Sequence, residues 1–273
     1  MKRVKVINRV FFSIGAVLAV FYAFPFFLVL LNSFKEKRDI RNDPLSLPDE
    51  WLFANYAEAA DKMDYWISLG NSILITVFSV FAIIFTSSLL AYYLARKKTK
   101  FTTMTFLILV SSMIVPFQAL MIPFVGLFGS LGMLASQPAL VFFYVGFGVA
   151  MSTFLYHGFI KNIPTELDEA AAIDGASAFS TYRRIIFPML SPVTATVAII
   201  NALWIWNDYL LPSLVLTQEQ RTLPLRTFVF YGTYTSDYGL AMAGLVISII
   251  PIILFYFLMQ RQIIAGVSAG AVK

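Results

Sequence analysis

Apolar residues in this chain collect into long unbroken runs separated by polar stretches, without the period-2 or period-3.6 alternation of a half-buried soluble element. Six runs approach or exceed the roughly 20 helical residues needed to cross a hydrocarbon core about 30 Å thick. They extend from about Val10 to Leu31, Ile73 to Leu94, Thr103 to Phe128, Leu140 to Ile160, Pro192 to Leu211, and Leu240 to Met259. An apolar environment requires backbone groups to be paired within the segment, so runs of this length predict helices. The pattern predicts an all-α membrane protein with six transmembrane helices. The first run carries no charge, exceeds the apolar part of a secretory leader and precedes no small-residue cleavage site, so a retained helix is expected.

The polar stretches set the orientation. Lys2, Arg3, Lys5 and Arg9 precede the first run, and Arg96, Lys97, Lys98 and Lys100 follow the second, with no acid among them. The stretch from Phe34 to Gly70 holds five basic and eight acidic residues. The excess of Lys and Arg on cytoplasmic loops predicts both termini and the Arg96 loop inside. By alternation the stretch from Lys161 to Leu190 is also inside, although its own charges do not decide. Pro44 and Pro48 make 43–50 an external turn region, since proline blocks regular helix. The expected organisation is residues 1–70 as N-terminal helix and external loop, 71–262 as core with a cytoplasmic loop at 161–190, and 263–273 as cytoplasmic tail.

Composition narrows the function. Hydrophobic residues make up 59% and charged residues 13%, against about a quarter charged in soluble domains. Absence of cysteine removes thiol catalysis and Cys-based metal sites. A net charge of +5 could suggest nucleic acid. The basic residues instead cluster at span ends, so none is expected as a partner. One histidine, His157, leaves little for an intramembrane enzyme; it fits a structural role better than a proton relay. No GxxxxGK[ST] loop is present, so any ATP hydrolysis belongs to another subunit. Spans nearly free of charge and without repeated halves disfavour a self-sufficient secondary transporter. No cofactor or metal is expected.

Two features could carry chemistry within the spans. Pro116 and Pro123, followed by Gly126, Gly129 and Gly132, predict a bend in the third span that serves packing or lines a path, with Gln118 between the prolines as a path candidate. Asn201, Trp204 and Asp208 fall at i, i+3 and i+7, one helical face. Such a face could hydrogen-bond and stack on a sugar, or join helices to one another. Tyr65, Trp66, Trp204, Trp206 and Tyr209 near span ends fit interfacial aromatic belts.

The loop between the fourth and fifth spans is the most informative segment. Thr165 with Asp168 resembles a capping box, and Glu166, Asp168 and Glu169 suit a first helical turn. The alanines that follow favour helix, and Gly175 ends it. A second short helix is expected from about Ala178 to Ile186. Chemistry alone allows an interfacial loop helix or a docking surface. The residues also resemble the EAA loop of bacterial ATP-binding-cassette importer permeases: Glu-Ala-Ala, three residues, Gly, nine residues, Ile, one residue, Leu, Pro. Glu169, Ala170, Ala171, Gly175, Ile185 and Pro188 fall in that register, with Phe187 in place of Leu. The resemblance implies a type I importer permease fold and a coupling helix docked on a cytoplasmic ATPase. It assigns that role to Glu166, Glu169, Ala170, Ala171, Asp174, Gly175, Ile185 and Pro188.

Further segments are similar to maltose-type sugar permeases: Asn71-Ser72, the fuller form through Asp174 and Ala176, Trp206-Asn207-Asp208, Thr222-Leu223-Pro224-Leu225, and the ending Ala269-Gly270-Ala271-Val272-Lys273. This likeness implies the smaller of two permease subunits in the cytoplasmic (inner) membrane of a bacterium. The implied partners are a second permease, two copies of an ATP-binding subunit, an external sugar-binding protein and the lipid bilayer. A permease for a non-sugar solute remains the alternative.

Overall fold

A computed structural model describes residues 2–230 and 237–271, with side-chain surroundings for 11–230 and 237–260. The side chains of Lys2, Arg3, Lys5 and Arg9 and of the tail 263–273 lie outside the described residues. The described chain is helical, with no strand. In order the helices are α1 (Lys2–Asn32), α2 (Lys37–Asn42), α3 (Ala54–Lys62), α4 (Tyr65–Arg96), α5 (Lys100–Ser112), α6 (Phe117–Ser130) and α7 (Gln137–Ile160). Then come α8 (Glu166–Ile173), α9 (Ala178–Thr181), a π-helical turn (Tyr182–Ile186), α10 (Phe187–Met189), α11 (Ser191–Asn207), α12 (Leu210–Val215), α13 (Leu223–Arg226), a 3₁₀ turn (Thr227–Phe230) and α14 (Tyr238–Ala271).

Among the described residues, four helices are long and apolar enough to span a membrane: Phe11–Asn32 of α1, α4, α7 and Tyr238–Gln260 of α14. Two bent pairs, α5 with α6 and Ala178–Met189 with α11, raise the number to six if each pair is one span. The expected third span is therefore broken: α5 and α6 meet at 102°. Pro116 is the residue before α6, with extended backbone at φ −71, ψ 136. Without an N–H it cannot continue α5, and the residue before a proline is pushed out of helical conformation. The fifth expected span ends earlier than Leu211. α11 stops at Asn207, and Asp208 is extended at φ −71, ψ 128.

The chain forms two compact units, residues 1–67 with 226–251 and residues 68–225 with 252–273. In the first, Phe34 is ringed by Trp51, Phe53 and Tyr56 at centroid distances of 5.1–5.2 Å. Asn55 donates to the carbonyls of Ser33 and Lys35, and Arg226 pairs with Asp64 at 2.6 Å. The turn expected at 43–50 is present: Asp43 Oδ1 accepts from the backbone N–H groups of Leu45 and Ser46. From Phe11 to Leu30 the apolar side chains of α1 point largely outward, as suits a helix bathed in lipid.

The second unit has two cores. One gathers Ile75 and Ile83 of α4, Phe124 of α6, Leu140, Phe143 and Tyr144 of α7, Ile205 of α11 and Leu211 of α12. The other gathers Ala91 and Ala95 of α4, Tyr156 and Ile160 of α7, Ile186 and Leu190 of the loop region, and Val193 and Val197 of α11. The second core lies directly beneath the loop that the sequence singled out.

Candidate functional site: a loop elbow mounted on helix ends

Residues 161–190 fold as two helical arms. The first arm, α8, ends in two capping hydrogen bonds, Gly175 N–H to Ala172 O at 3.0 Å and Ala176 N–H to Ala171 O at 2.9 Å. This Schellman pairing needs a left-handed residue between its bonds, and Gly175 supplies it at φ +79. The chain then reverses into α9, where the Ser177 side chain accepts from Ser180 N–H as an N-cap. The second arm extends past the expected end at Ile186, to Met189, through the π-helical turn. Pro188 explains that turn. In a regular helix its ring would meet the carbonyl of Arg184, four residues back. The wider turn opens there instead, with Phe187 N–H bonded to Tyr182 O.

The expected capping box at Thr165 does not form. Thr165 has helical backbone, φ −71 and ψ −21, and its side chain makes no cap bond. Asp168 turns instead to Arg96, whose Nη2 lies 2.8 Å away, and accepts from the Tyr92 hydroxyl. Arg96 takes one carboxylate oxygen and Tyr92 the other, so neither is left for the cap.

Of the residues expected to couple, Glu166, Glu169, Ala170, Asp174, Gly175 and Pro188 are exposed, Ile185 is half-buried and Ala171 is buried. Ala171 and Ile185 therefore hold the arms to the core, while the acidic residues face outward. Two apolar residues stand beside them, Ile173 at 86% exposure and Phe179 at 57%. The exposed face of the elbow thus combines carboxylates with two apolar side chains. Ile173 was legible only as part of the helical run, because exposure is set by which face the core covers.

The path candidates separate. Gln118 is exposed in the first turn of α6. Asn201, Trp204 and Asp208 do not share a helical face, because α11 ends before Asp208. All three nevertheless reach α7. Asn201 donates to Ser152 Oγ at 3.0 Å and to Val197 O at 2.8 Å. The Trp204 ring stands edge-on to Tyr144 at 5.4 Å, and the Tyr144 hydroxyl donates to Asp208 Oδ2 at 3.0 Å. Trp204 remains 40% exposed, whereas Asn201 is 5% exposed. The Asn201 amide is thus spent on helix joining, and Trp204 is the member of the trio with surface to offer. Asn201→Ala is expected to destabilise the fold by about 1 kcal/mol, read as a lowered thermal midpoint in detergent. Unchanged stability with lost uptake would instead make Asn201 a path residue.

Two motifs far apart in sequence meet at the other end of α4. Asn71 Nδ2 donates to the carbonyls of Glu219 and Arg221, both at 3.2 Å, and Gln137 Nε2 donates to Asn71 Oδ1 at 2.8 Å. Leu223 N–H donates to Ser72 Oγ at 2.7 Å. Asn71-Ser72 and Thr222–Leu225 are one structure, a loop pinned to the start of α4. His157 stacks on Phe106 with centroids 4.0 Å apart and is 7% exposed, which is packing.

The family described as binding-protein-dependent transport system inner membrane component matches residues 83–268. A probable starch degradation products transport system permease protein, AmyC of Thermoanaerobacterium thermosulfurigenes, is 45% identical over all of both chains. The multiple sugar-binding transport system permease protein MsmG of Streptococcus mutans is 39% identical, again over all of both chains. The fold is also that of a chain in the crystal structure of a bacterial ABC transporter involved in import of the acidic polysaccharide alginate. The TM-score is 0.80 at 23% identity, covering 94% of this chain and 96% of that one.

Proposed function

We infer the function of this chain from the family to which it belongs, the inner membrane components of binding-protein-dependent transport systems: it is the permease subunit of an ATP-driven importer, and its cargo is a carbohydrate. The observation that carries the permease role is the elbow. Glu166, Glu169 and Ile173 stand exposed on a helix whose opposite side is tied through Asp168 to Arg96 and Tyr92 near the end of one span, α4. Such a mount passes force from a soluble partner to membrane helices. The residues of the elbow, from Glu166 through Gly175 to Ile185 and Pro188, are the ATPase-coupling site. Glu169 pairs with a basic group on the ATPase, and Gly175 sets the angle between the arms.

In this reading both termini and residues 161–190 face the cytoplasm, residues 71–262 form the core, and 263–273 reaches the ATPase interface. The partners are a second permease that completes the path, two copies of an ATP-binding subunit and an external sugar-binding protein. Trp204 is the path residue best placed to meet a sugar, since an exposed aromatic face suits C–H groups; Asp208 and Gln118 are further candidates, and Asn201 joins α11 to α7. The sugar assignment is supported by relatives whose names refer to starch degradation products, multiple sugars, and melibiose, raffinose and stachyose.

The test is reconstitution of this chain with its partner permease, ATPase and binding protein, using labelled maltotriose, melibiose and raffinose. ATP-dependent accumulation of at least one is expected. Transport by this chain alone without ATP would replace the reading with a secondary transporter. ATP-dependent uptake of an amino acid but of none of the sugars would overturn the cargo.

A further inference from the structure

We propose that α4 is the transmission helix of this permease, clamped to both arms of the elbow by a stripe of three side chains, Ser88, Tyr92 and Arg96; this rests on the elbow being the ATPase-coupling site. The three residues recur at intervals of four and so lie along one face of α4. Each meets the elbow. The Ser88 and Tyr182 hydroxyls are 2.7 Å apart, which ties the second arm. The Tyr92 hydroxyl donates to Asp168, which ties the first, and its ring lies 5.5 Å from that of Tyr182. Arg96 Nη2 pairs with Asp168 at 2.8 Å, while its Nη1 donates to Ile163 O at 3.1 Å, just past the end of α7. One guanidinium therefore joins α4, α7 and α8.

The chemistry favours a stiff joint. The side chains of Arg96 and Asp168 are 14% and 20% exposed, so salt screens them weakly. The guanidinium is planar and offers several donors in fixed directions, which a lysine does not. α7 and α11 are linked to the elbow by the chain itself. α4 is linked by side chains, so its connection can be cut without altering the backbone path. The face the clamp leaves free holds Glu166, Glu169 and Ile173. A partner that grips this face and moves it must carry α4 along. Arg96 is a positioning residue: it acts through α8 and touches neither nucleotide nor cargo.

The experiment uses the complete importer in proteoliposomes and reads sugar taken up per ATP hydrolysed. Arg96→Ala is expected to lower that ratio about tenfold, within the range of coupling free energies between sites, while ATP hydrolysis continues. Arg96→Lys should recover part of the loss. The exchange Arg96→Asp with Asp168→Arg should recover part of it, because the pair between α4 and α8 is restored with reversed polarity while the bond to Ile163 O is not. A merely structural role would not move the ratio, since a poorly folded subunit loses uptake and stimulated hydrolysis together. The chain has no cysteine, so a spin label on Ile173→Cys adds a direct readout. Its mobility should rise with Arg96→Ala and fall again in the exchange variant.

A normal ratio in Arg96→Ala overturns the clamp. So does an exchange variant that assembles but recovers nothing. If Arg96→Ala does not assemble, Tyr92→Phe and Asp168→Asn decide: an unchanged ratio in both overturns the clamp, and a ratio lowered about twofold or more supports it. Gly175→Pro separates the two readings. If it uncouples while Arg96→Ala does not, only the clamp fails; if neither affects the ratio, the coupling role of the elbow fails with it.

Discussion

Gly175→Pro is expected to abolish ATP-driven uptake while leaving the chain inserted in the membrane. Gly175 sits at φ +79 and its N–H donates to Ala172 O. Proline is held near −65° and has no N–H, so it can adopt neither the angle nor the bond. A left-handed turn of this kind costs an ordinary L-residue about 1–2 kcal/mol, and proline cannot enter it. The two arms must then take another angle, and the exposed carboxylates of α8 no longer face as they did. Insertion is set by the long apolar runs, which the change does not touch. A graded series is expected, with Gly175→Asn mild, Gly175→Ala intermediate and Gly175→Pro inactive, because asparagine tolerates the left-handed region best of the three. Uptake and basal ATP hydrolysis, measured together on the complete importer, check this. Near-wild-type uptake by the proline variant would remove the elbow angle from the mechanism.

The second large effect is expected inside the membrane. A Cβ at Gly148 would lie 2.6 Å from Ile83 Cδ1 and 3.0 Å from Asn201 Oδ1. α4, α7 and α11 thus converge on a position where only hydrogen fits. Small residues allow such close approach between spanning helices, whose association relies on packing because lipid tails are as apolar as leucine. Gly148→Leu must displace Ile83, which is fully buried, and press on the Asn201–Ser152 bond. Overpacking of this kind costs about 1–3 kcal/mol and occasionally more. A fall of roughly 5–10 °C in the thermal midpoint of the detergent-solubilised chain would correspond to the upper part of that range. Gly146→Leu is the control: nothing lies within 4 Å of its Cβ position, so its midpoint should stay near wild type. Equal losses in both variants would show that leucine is poorly tolerated anywhere in α7 and that the three-helix contact is not the cause.

Physical patterning made several features of this protein readable. Long apolar runs can only be satisfied as helices in lipid, so the all-α class follows from local composition. The elbow was readable because its determinants are also local: acidic residues, alanines and a glycine, in that order, describe a short helix and its stop. The bend near Pro116 was expected because a missing N–H acts wherever it occurs. Its size of 102° was not, since the angle depends on what packs against the freed turn. The cap at Thr165 was misread for a related reason. A capping box is the best local use for Asp168, but Arg96 is 72 positions away in sequence and 2.8 Å away in space. The face assigned to Asn201, Trp204 and Asp208 failed at Asp208, where the helix had already ended. Tyr144, absent from the sequence reading, is the group that engages both Trp204 and Asp208; a tyrosine inside an apolar run carries no signal of its own.

The sequence alone determined the membrane class, the positions of the apolar runs, the elbow with its glycine hinge, and the resemblance that names the family. These depend on composition, on local backbone preference and on fixed spacing, all of which act over fewer than about 25 residues. Only the tertiary structure decided which face of the elbow is free, that Asn201 joins helices, that Asn71-Ser72 holds the 219–223 loop, and that Ser88, Tyr92 and Arg96 all address one target. Each of those depends on which side chains from distant segments compete for the same hydrogen-bonding group. That competition is settled by distance in space, and helical periodicity can show that three residues share a face without showing what the face meets.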